Sequence, residues 1–586
     1  MKNKCPFILF TLLLLLFRIS KAKRVEYEWN LVYKNINPDG LNERRIISIN
    51  DQWPPEPILL NVNDTLVLSV YNKLNEPTSI HAHGLFQNNG TNIYDGAGMV
   101  TQCPIPPNHN FTYEFPVTQA GTFWIHSHFK VQYLDGLRLP LIVYDPNEPF
   151  EYDEDKIITV SDWYHENSYT NLEKYLNREN IKGSAPVPQS GLINDHVNST
   201  ITFKPGRTYR LRLINMSGIA SFGISIDDHD MTVIEVDGVL TKPTLTKTVY
   251  MAAGQRISIL VHTKDTTDFN YRFHARIAPA MFVEYPKGLQ LNIEAPIYYN
   301  HQSPFAPRDG PKKGNYDDAY IFPLNEEPPL TPVDRQVKYT VDFVTDDRDG
   351  IKYGVMNGIS YSPPLVPTLN TLLTMENDDL ANNPLVYGGP ETQVTIFELN
   401  QVIELVIENL DIVPHPFHLH GHVFQVIARN KGRYNNQTTV KIPDNPTYRD
   451  TIGVPSQGYV VLRFRTNNPG VWFFHCHVDW HVPAGLALTF ITAPSEARKR
   501  MMPLPQPLID ICHASGLPAE GNAEGKQGLV LKESRHYSGF IMAALIATLV
   551  GFSTIIWHVW VDPSHAEEEE EEEEREARKP LLSVTN

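Results

Sequence analysis

Short apolar runs alternate with polar residues along most of this chain, and turn-forming residues separate one run from the next. Valine, isoleucine, tyrosine and phenylalanine recur in the apolar runs, and the sequence contains 46 prolines and 34 glycines. Alternation with a period of two is typical of half-buried β-strands, and long amphipathic helical repeats are scarce. The pattern therefore predicts an all-β protein built from sandwiches of short strands.

The N-terminal end departs from this pattern. Residues 1–22 combine the bases Lys2 and Lys4 with an apolar run over 7–17 and the small-x-small sequence Ser20-Lys21-Ala22. These features predict a secretory signal peptide that is cleaved near Ala22, because the apolar run is short for an uncleaved anchor.

The C-terminal end departs from it as well. Residues 539–560 carry no charge, and Trp557 and Trp560 lie at one edge of the segment. At about 1.5 Å per residue the segment is long enough to span roughly 30 Å of hydrocarbon. It predicts one transmembrane helix, with a buried core helix as the alternative. Together with the signal peptide it predicts a single-pass type I protein of the plasma membrane, with an extracellular catalytic part and a disordered, acidic cytoplasmic tail at 561–586.

Length, charge and cysteine content narrow the class. A chain of 586 residues predicts roughly three to five domains. A net charge of −17 excludes a general affinity for nucleic acid. Cys5 leaves with the signal peptide and Cys476 lies in a histidine cluster, so Cys103 and Cys512 form the candidate disulfide of a secreted protein. Six sequons predict surface glycosylation sites, at Asn63, Asn89, Asn110, Asn198, Asn215 and Asn436.

Four short clusters hold the candidate chemistry. They contain ten of the chain's 22 histidines and one cysteine. Single His-x-His pairs arise easily by chance, whereas four such clusters with a cysteine do not. The clusters are His81-Ala-His83, His126-Ser-His128, His415-Pro-Phe-His418-Leu-His420 and His475-Cys476-His477 with His481.

Strand geometry explains the spacing within the clusters. Side chains alternate faces on a strand, so each His-x-His pair directs two imidazoles to one side, and four pairs offer eight imidazoles to one cavity. Cys476 lies between His475 and His477 and must face the other way, which leaves it with His415 and His481 for a separate site. One thiolate with two imidazoles is the ligand set of blue copper. Structural zinc needs only four ligands, so this larger set favours several coppers.

The four motifs, in this order and spacing, resemble those of the multicopper oxidase family over nearly all of residues 25–500. The resemblance implies three cupredoxin-like Greek-key domains at 23–147, 148–300 and 301–500, followed by an extension at 501–538. It also implies four copper ions. By position, type 1 copper would take His415, Cys476 and His481; type 2 would take His81 and His418; and the type 3 pair would take His83, His126, His128, His420, His475 and His477.

The same resemblance suggests further roles. Leu486, ten residues after Cys476, stands where some relatives place an axial methionine, and a non-coordinating leucine should raise the type 1 potential. Asp95 and Asp479 resemble the family's carboxylates that carry protons during reduction of O2 to water. Ordinary loop or capping roles are the alternative for both residues.

Three stretches and the C-terminal span resemble the membrane-anchored fungal ferroxidases more than the secreted laccases. The stretches are His83-Gly-Leu-Phe-Gln-Asn, Thr101-Gln-Cys-Pro-Ile and Ser161-Asp-Trp-Tyr-His. The implied substrates are Fe²⁺ and O2, and the implied partner is an iron permease. Asp411 matches one of that family's three iron carboxylates, whereas the other two positions are Ala185 and Val283. Glu284, next to Val283, can replace the missing carboxylate only if its side chain faces the same side as that of Val283. Adjacent residues of a strand face opposite sides. One alternative is a laccase-like oxidase of phenols or aromatic amines. A second alternative, from a different class, is a copper-storage protein, although such a protein does not need a cysteine that connects two copper sites.

Overall fold

The computed structural model describes residues 22–308, 316–435, 440–530 and 572–578. The chain divides into two compact units, Met1–Val530 and Leu531–Asn586. Across the described residues, no helix has both the length and the apolar character needed to cross a membrane. The predicted signal peptide (apart from Ala22) and the predicted transmembrane helix at 539–560 lie outside the described residues.

The first part of the chain forms two four-stranded sheets, which share one hydrophobic core. Its strands are β1 Arg24–Ile36, β2 Arg44–Ile49, β3 Ile58–Asn61, β4 Thr65–Asn72, β5 Ile80–His83, β6 Asn110–Pro116, β7 Gly121–Ser127 and β8 Arg138–Tyr144. The strand orders are β2-β1-β4-β6 and β3-β8-β7-β5. β6 alternates between exposed and buried positions, as a strand with one solvated face should, whereas β7 is buried on both faces.

The middle part forms a six-stranded sheet, β10-β9-β12-β17-β14-β15, and a five-stranded sheet, β11-β19-β18-β13-β16. Its strands are β9 Glu154–Trp163, β10 Ser190–Ile193, β11 Ile201–Thr202, β12 Thr208–Asn215, β13 Phe222–Ile226, β14 Met231–Val236, β15 Val239–Thr246, β16 Val249–Met251, β17 Arg256–His262, β18 Tyr271–Ile277 and β19 Asn292–Tyr298.

The last part repeats this arrangement with the sheets β21-β20-β23-β28-β25-β26 and β22-β30-β29-β24-β27. Its strands are β20 Arg335–Thr345, β21 Lys352–Met356, β22 Val394–Phe397, β23 Val402–Asn409, β24 His415–Leu419, β25 Phe424–Lys431, β26 Thr447–Arg449, β27 Thr451–Val454, β28 Gly458–Arg465, β29 Gly470–Cys476 and β30 Ala487–Thr492. One hydrophobic core continues through the middle and last sheet pairs. The prediction of an all-β fold is therefore confirmed.

Helices are short and lie in the connections and after the last strand. The α-helices are α1 Ser168–Tyr175, α2 Thr368–Thr374, α3 Asp378–Ala381, α4 Pro494–Met501 and α5 Gln506–Ala514. Single 3₁₀ turns occupy Thr91–Tyr94, Gln132–Asp135, Pro279–Met281, Pro384–Tyr387, Pro390–Thr392 and Asp479–His481. Cys512 on α5 is bonded to Cys103, which confirms the predicted disulfide. This bond ties the C-terminal extension to the first sheet pair.

The predicted domain limits at 147/148 and 300/301 fall between sheet pairs, and they stay predictions. The limit at 500/501 falls within α4, so the third sheet pair and the C-terminal extension are joined by a continuous helix.

Two predictions about the surface need correction. Asn215 is fully buried, and its amide donates to the carbonyls of Ala220 and Met251, so it is not a surface glycosylation site. In the second compact unit, residues 572–577 are helical rather than disordered. Glutamate, alanine and arginine are good helix formers, and Glu574 lies 3.7 Å from Arg578 one turn later. The other sequons are exposed at Asn63, Asn89, Asn110 and Asn198, and Asn436 lies outside the described residues.

Candidate metal centre

Strand pairing brings the four histidine clusters together. In the first sheet pair β5 lies antiparallel to β7 and places His81 opposite His126. In the last sheet pair β24 lies antiparallel to β29 and places His418 opposite His475. Residues at opposite positions of a ladder have neighbouring side chains, so each pairing joins two motifs that are distant in sequence.

The two sheet pairs then meet at these strands. The rings of His81 and His420 stack at 3.9 Å between centroids, and those of His83 and His418 stack at 3.8 Å. Both contacts join the first sheet pair to the last. The eight imidazoles predicted to share one cavity therefore do form one cluster, at the junction of two sheet pairs.

Within the cluster the candidate ligand nitrogens form overlapping groups, because His81 lies close both to His418 and His420 and to His83 and His126. For the assignment below we divide the eight rings into two trios and a pair. In the first trio the candidate ligand nitrogens all lie within 4.8 Å of one another. In the second trio His477 Nε2 lies 3.2 Å from His83 Nδ1. The first trio is His128, His420 and His475, the second is His83, His126 and His477, and the pair is His81 and His418.

Hydrogen bonds orient these rings from outside. Four of them direct Nδ1 to a backbone carbonyl at 2.7–3.0 Å: His81 to Asp95, His126 to Ser127, His418 to Asp450 and His475 to Cys476. Four inward nitrogens are buried with no hydrogen-bond partner in the described part of the chain: Nε2 of His81, His126 and His418, and Nδ1 of His477. Buried unpartnered nitrogens are costly, and outward anchoring of the other nitrogen is the usual pattern of a metal-binding histidine. The cluster therefore fits metal ions.

Burial also keeps these rings available as ligands. Loss of solvent lowers the pKa well below the ordinary histidine value, and the neighbouring histidines lower it further, for His83, His126, His128, His420, His475 and His477. Because a metal binds only the neutral ring, these histidines need not lose a proton first.

A second centre lies on the opposite face of β29. Cys476 Sγ is 3.7 Å from His415 Nδ1 and 3.4 Å from His481 Nδ1, and all three side chains are buried. Burial raises the pKa of the Cys476 thiol, so binding a metal there must displace a proton. Leu486, also fully buried, accepts a hydrogen bond from the Cys476 amide through its carbonyl, 3.1 Å away. These donors fit copper, since a thiolate with two imidazoles forms a blue-copper site.

Asp95 and Asp479 both lie at the eight-histidine cluster. Asp95 is fully buried, and its Oδ2 accepts a 2.9 Å hydrogen bond from His420 Nδ1. Asp479 lines a cavity of about 200 Å³ that also reaches His128 and His477, and its Oδ2 is buried without a partner among the described residues. Burial, with the nearby charge of Asp162, raises the pKa of Asp479 well above the ordinary value. Both effects favour the protonated carboxyl group of Asp479 over the carboxylate.

Asp411 lies at the other centre. Its Oδ2 accepts a 3.0 Å hydrogen bond from His415 Nε2, and its side chain is 18% exposed. Burial raises the pKa of Asp411, but the hydrogen bond and the charge of His415 outweigh burial and hold it below the ordinary value. Asp411 lines a cavity of about 50 Å³ with His481, Ala185 and Val283. The one matching carboxylate and the two apolar replacements therefore surround the same space.

Glu284 does not replace the missing carboxylates. Its carboxylate lies 2.6 Å from Lys182 Nζ, which forms an exposed ion pair with it. Val283 and Glu284 follow the 3₁₀ turn at Pro279–Met281 and are not part of a strand, so the alternation of strand faces does not apply to them. Lys352 also lines the cavity.

Asp450 and Thr451 were not predicted from the sequence. Asp450 Oδ1 lies 3.4 Å from His83 Nε2 and 3.6 Å from His418 Nδ1. Thr451 Oγ1 lies 3.1 Å from His418 Nδ1. Burial raises the pKa of Asp450, but the charge of Arg256, together with hydrogen bonding to His418 and His83, outweighs burial and holds the pKa well below the ordinary value. No ligand spacing marks Tyr448-Arg449-Asp450-Thr451, so the sequence carries no local signal for this contact.

Comparison with known proteins agrees with this geometry. Multicopper oxidase family models match residues 30–148, 154–299 and 361–496. The chain is 39% identical to "Iron transport multicopper oxidase FET5" of Saccharomyces cerevisiae, over 91% of each chain. It is similar to the crystal structure of "Fet3p, a Multicopper Oxidase that Functions in Iron Import", with a TM-score of 0.83 and 33% identity, over 87% of this chain and 100% of that one. The laccase from Botrytis aclada gives a TM-score of 0.72 and 28% identity, over 84% of this chain and 92% of that one.

Proposed function

This chain belongs to the multicopper oxidase family, and from that premise we propose that it oxidises Fe²⁺ as a step in iron uptake. Four Fe²⁺ ions each give up one electron, and one O2 takes four electrons and four protons to form two waters. The four copper ions that the family implies, one type 1, one type 2 and a type 3 pair, supply the redox chemistry when bound.

We assign the copper ligands from the two centres. The type 1 ligands are His415, Cys476 and His481, because they form the only set with a thiolate among the described residues. The pair His81 and His418 is the type 2 set. The two trios are the type 3 sets: His128, His420 and His475 in one, and His83, His126 and His477 in the other.

The observation that carries the iron proposal is the hydrogen bond from His415 to Asp411. Fe²⁺ prefers hard oxygen ligands, and Asp411 offers an ionised carboxylate at the surface. An electron that arrives there crosses one hydrogen bond to His415, whose other nitrogen faces Cys476. Cys476 is bonded through the backbone to His475 and His477, its neighbours in the sequence, and these two residues belong to the two trios.

The size of the adjoining space favours an ion over a bulky aromatic donor. The cavity that Asp411 lines is about 50 Å³, whereas pockets that bury organic ligands are roughly 300–1,000 Å³. The apolar residues Ala185 and Val283 remove two negative charges from this space, so Asp411 is the main determinant of iron binding in our proposal.

We further propose that Asp479 and Asp95 carry protons to the eight-histidine cluster. Their support is their position: the Asp95 carboxylate contacts His420, and Asp479 opens onto the cavity that reaches His128 and His477.

A location at the plasma membrane is part of the same proposal. The uncharged segment at 539–560 and the N-terminal signal sequence support a single-pass type I protein with an extracellular oxidase. The relatives named for iron transport and iron import support an iron permease as the partner that takes up the product.

Asp411→Ala is expected to lower kcat/KM for Fe²⁺ by about 10–100-fold, the effect of losing a charged hydrogen-bond partner. Oxidation of an organic donor should change little, because such a molecule gives its electron directly at the edge of His415 or His481. Steady-state assays with both donors measure the two effects. Glu154→Gln is the matched control, since that carboxylate pairs with Lys204, neither residue lines the cavity, and both rates should stay unchanged.

The converse experiment restores the missing charges. Ala185→Glu with Val283→Asp should raise kcat/KM for Fe²⁺, because added carboxylates stabilise both the bound ion and the Fe³⁺ product. If Asp411→Ala leaves iron oxidation intact and the double restoration does nothing, the proposal of iron entry at Asp411 is wrong.

A further inference from the structure

The middle sheet pair contains none of the ten clustered histidines, yet one of its turns reaches the eight-histidine cluster. The turn is Gly254-Gln255-Arg256, which follows β16 and ends at the first residue of β17. Arg256 is fully buried, and its Nε donates to the carbonyl of Thr122 in the first sheet pair at 3.0 Å. A buried guanidinium must be paired. Nη1 also donates to the carbonyl of Gly254 at 3.2 Å and lies 3.6 Å from Asp237 Oδ1, and the other partner, Asp450, lies beside the cluster.

Arg256 binds Asp450 of the last sheet pair at two points. Nη1 donates to Oδ1 at 2.8 Å and Nη2 to Oδ2 at 2.6 Å, which fixes the plane of the carboxylate. Asp450 Oδ1 in turn lies 3.4 Å from His83 Nε2 and 3.6 Å from His418 Nδ1. Arg256 thus reaches two cluster rings, one from each flanking sheet pair, through a single oriented carboxylate.

Two glycines permit this close approach. A Cβ on Gly84, the residue after His83, would lie 2.4 Å from Arg256 Nη2. A Cβ on Gly254 would lie 2.8 Å from Cδ2 of His477, and its φ of +85° also favours glycine. Between these contacts, Gln255 Nε2 donates to the carbonyl of Thr451 at 2.9 Å. All three residues of the turn therefore contact the cluster or the strand that supports it.

We propose that the turn Gly254–Arg256, acting with Asp450, is a positioning device that sets how tightly the eight-histidine cluster holds copper. It orients His83 and His418 through Asp450 and packs directly on His477, so the middle sheet pair controls a metal site to which it gives no ligand. The proposal rests on the copper assignment made above and is independent of the iron substrate. A purely structural ion pair between sheet pairs would leave copper retention unchanged.

The test uses Asp450→Asn in the full-length chain loaded with copper. The amide keeps the shape of the carboxylate but loses its charge and one acceptor. Groups that orient metal ligands typically change metal affinity by about 10–100-fold, so we expect the cluster to lose copper to a chelator more readily by that factor. The type 2 electron paramagnetic resonance signal should change, whereas the blue absorption from the Cys476 centre should remain.

The matched control is Asp155→Asn, on β9 of the middle sheet pair. Asp155 accepts a 2.7 Å hydrogen bond from the buried Arg212 and contacts none of the clustered histidines. This variant should lose stability while it keeps the wild-type copper content and type 2 signal. The proposal is overturned if Asp450→Asn retains copper like Asp155→Asn, or if it loses blue and cluster copper in equal proportion.

A second pair of variants covers the case in which Asp450→Asn does not fold. Arg256→Lys keeps the positive charge but replaces the planar two-point contact with the carboxylate by a single ammonium nitrogen. Arg212→Lys makes the same substitution at a buried arginine whose hydrogen-bond partners are Asp155 and Thr122. Weaker copper retention in Arg256→Lys alone supports the proposal. Equal retention in the two variants overturns it.

Discussion

Cys476→Ser is expected to abolish the intense blue absorption and all oxidase activity. In the described part of the chain, Cys476 is the one unpaired cysteine, and its Sγ faces both His415 and His481. A serine hydroxyl cannot replace a copper-bound thiolate, which is also the link from the first centre to His475 and His477. Absorption spectroscopy and oxygen uptake measure the two losses.

The same variant should retain copper at the eight-histidine cluster, because serine fits the space and Cys476 gives no donor to that side of β29. A type 2 resonance signal in a colourless, inactive protein is therefore the expected combination. The double variant Cys103→Ala/Cys512→Ala is the control, since it removes the disulfide but should leave the blue absorption. Blue colour in Cys476→Ser would contradict the assignment of the type 1 centre.

Asp479→Ala is expected to slow the reduction of O2 by about 10²–10⁴-fold, the usual contribution of a residue that transfers protons. Burial and the charge of Asp162 raise the pKa of Asp479, and Asp479 lines the same cavity as His477, so in our proposal this side chain delivers the proton there. Reduction of the blue centre by the donor should be nearly unchanged. Stopped-flow measurement of the two half-reactions separates these effects.

Asp479→Glu provides the control for this prediction, because it keeps a carboxyl group in the same cavity and should retain much of the oxygen reaction. An equal loss in both half-reactions of Asp479→Ala would show a general defect of the centre and would exclude a specific role in proton transfer.

The sequence was sufficient for the parts of the site that depend on local geometry. His81 and His83 share a face because strand side chains alternate, and the same alternation separates Cys476 from His475. The all-β class followed from the apolar–polar alternation, and the Cys103–Cys512 bond followed from elimination. Each of these features depends on residues close in sequence or on a very small number of candidates.

Contacts between sheet pairs could not be predicted in this way. Arg256 and Asp450 are 194 positions apart, and neither lies in a motif with metal-ligand spacing. The role of Gly254 depends on how closely its turn approaches His477, which only the packing of two sheet pairs determines. The burial of the Asn215 sequon has the same origin, since its side chain satisfies two carbonyls that only the folded chain brings together.

Local structure also explains why Glu284 does not replace the missing carboxylates. The chain leaves a 3₁₀ turn there, and the Glu284 carboxylate pairs with Lys182. Asp411 is consequently the main acidic residue at the small cavity, which makes the identity of the electron donor the most consequential part of our proposal.

The most direct test compares kcat/KM for Fe²⁺ with that for a bulky phenol on the purified full-length chain, with oxygen uptake recorded in both assays. Our proposal predicts a clear preference for Fe²⁺, with four Fe²⁺ oxidised for each O2 consumed. A higher kcat/KM for the phenol, with little turnover of Fe²⁺, would contradict the proposal and identify a laccase-like oxidase instead.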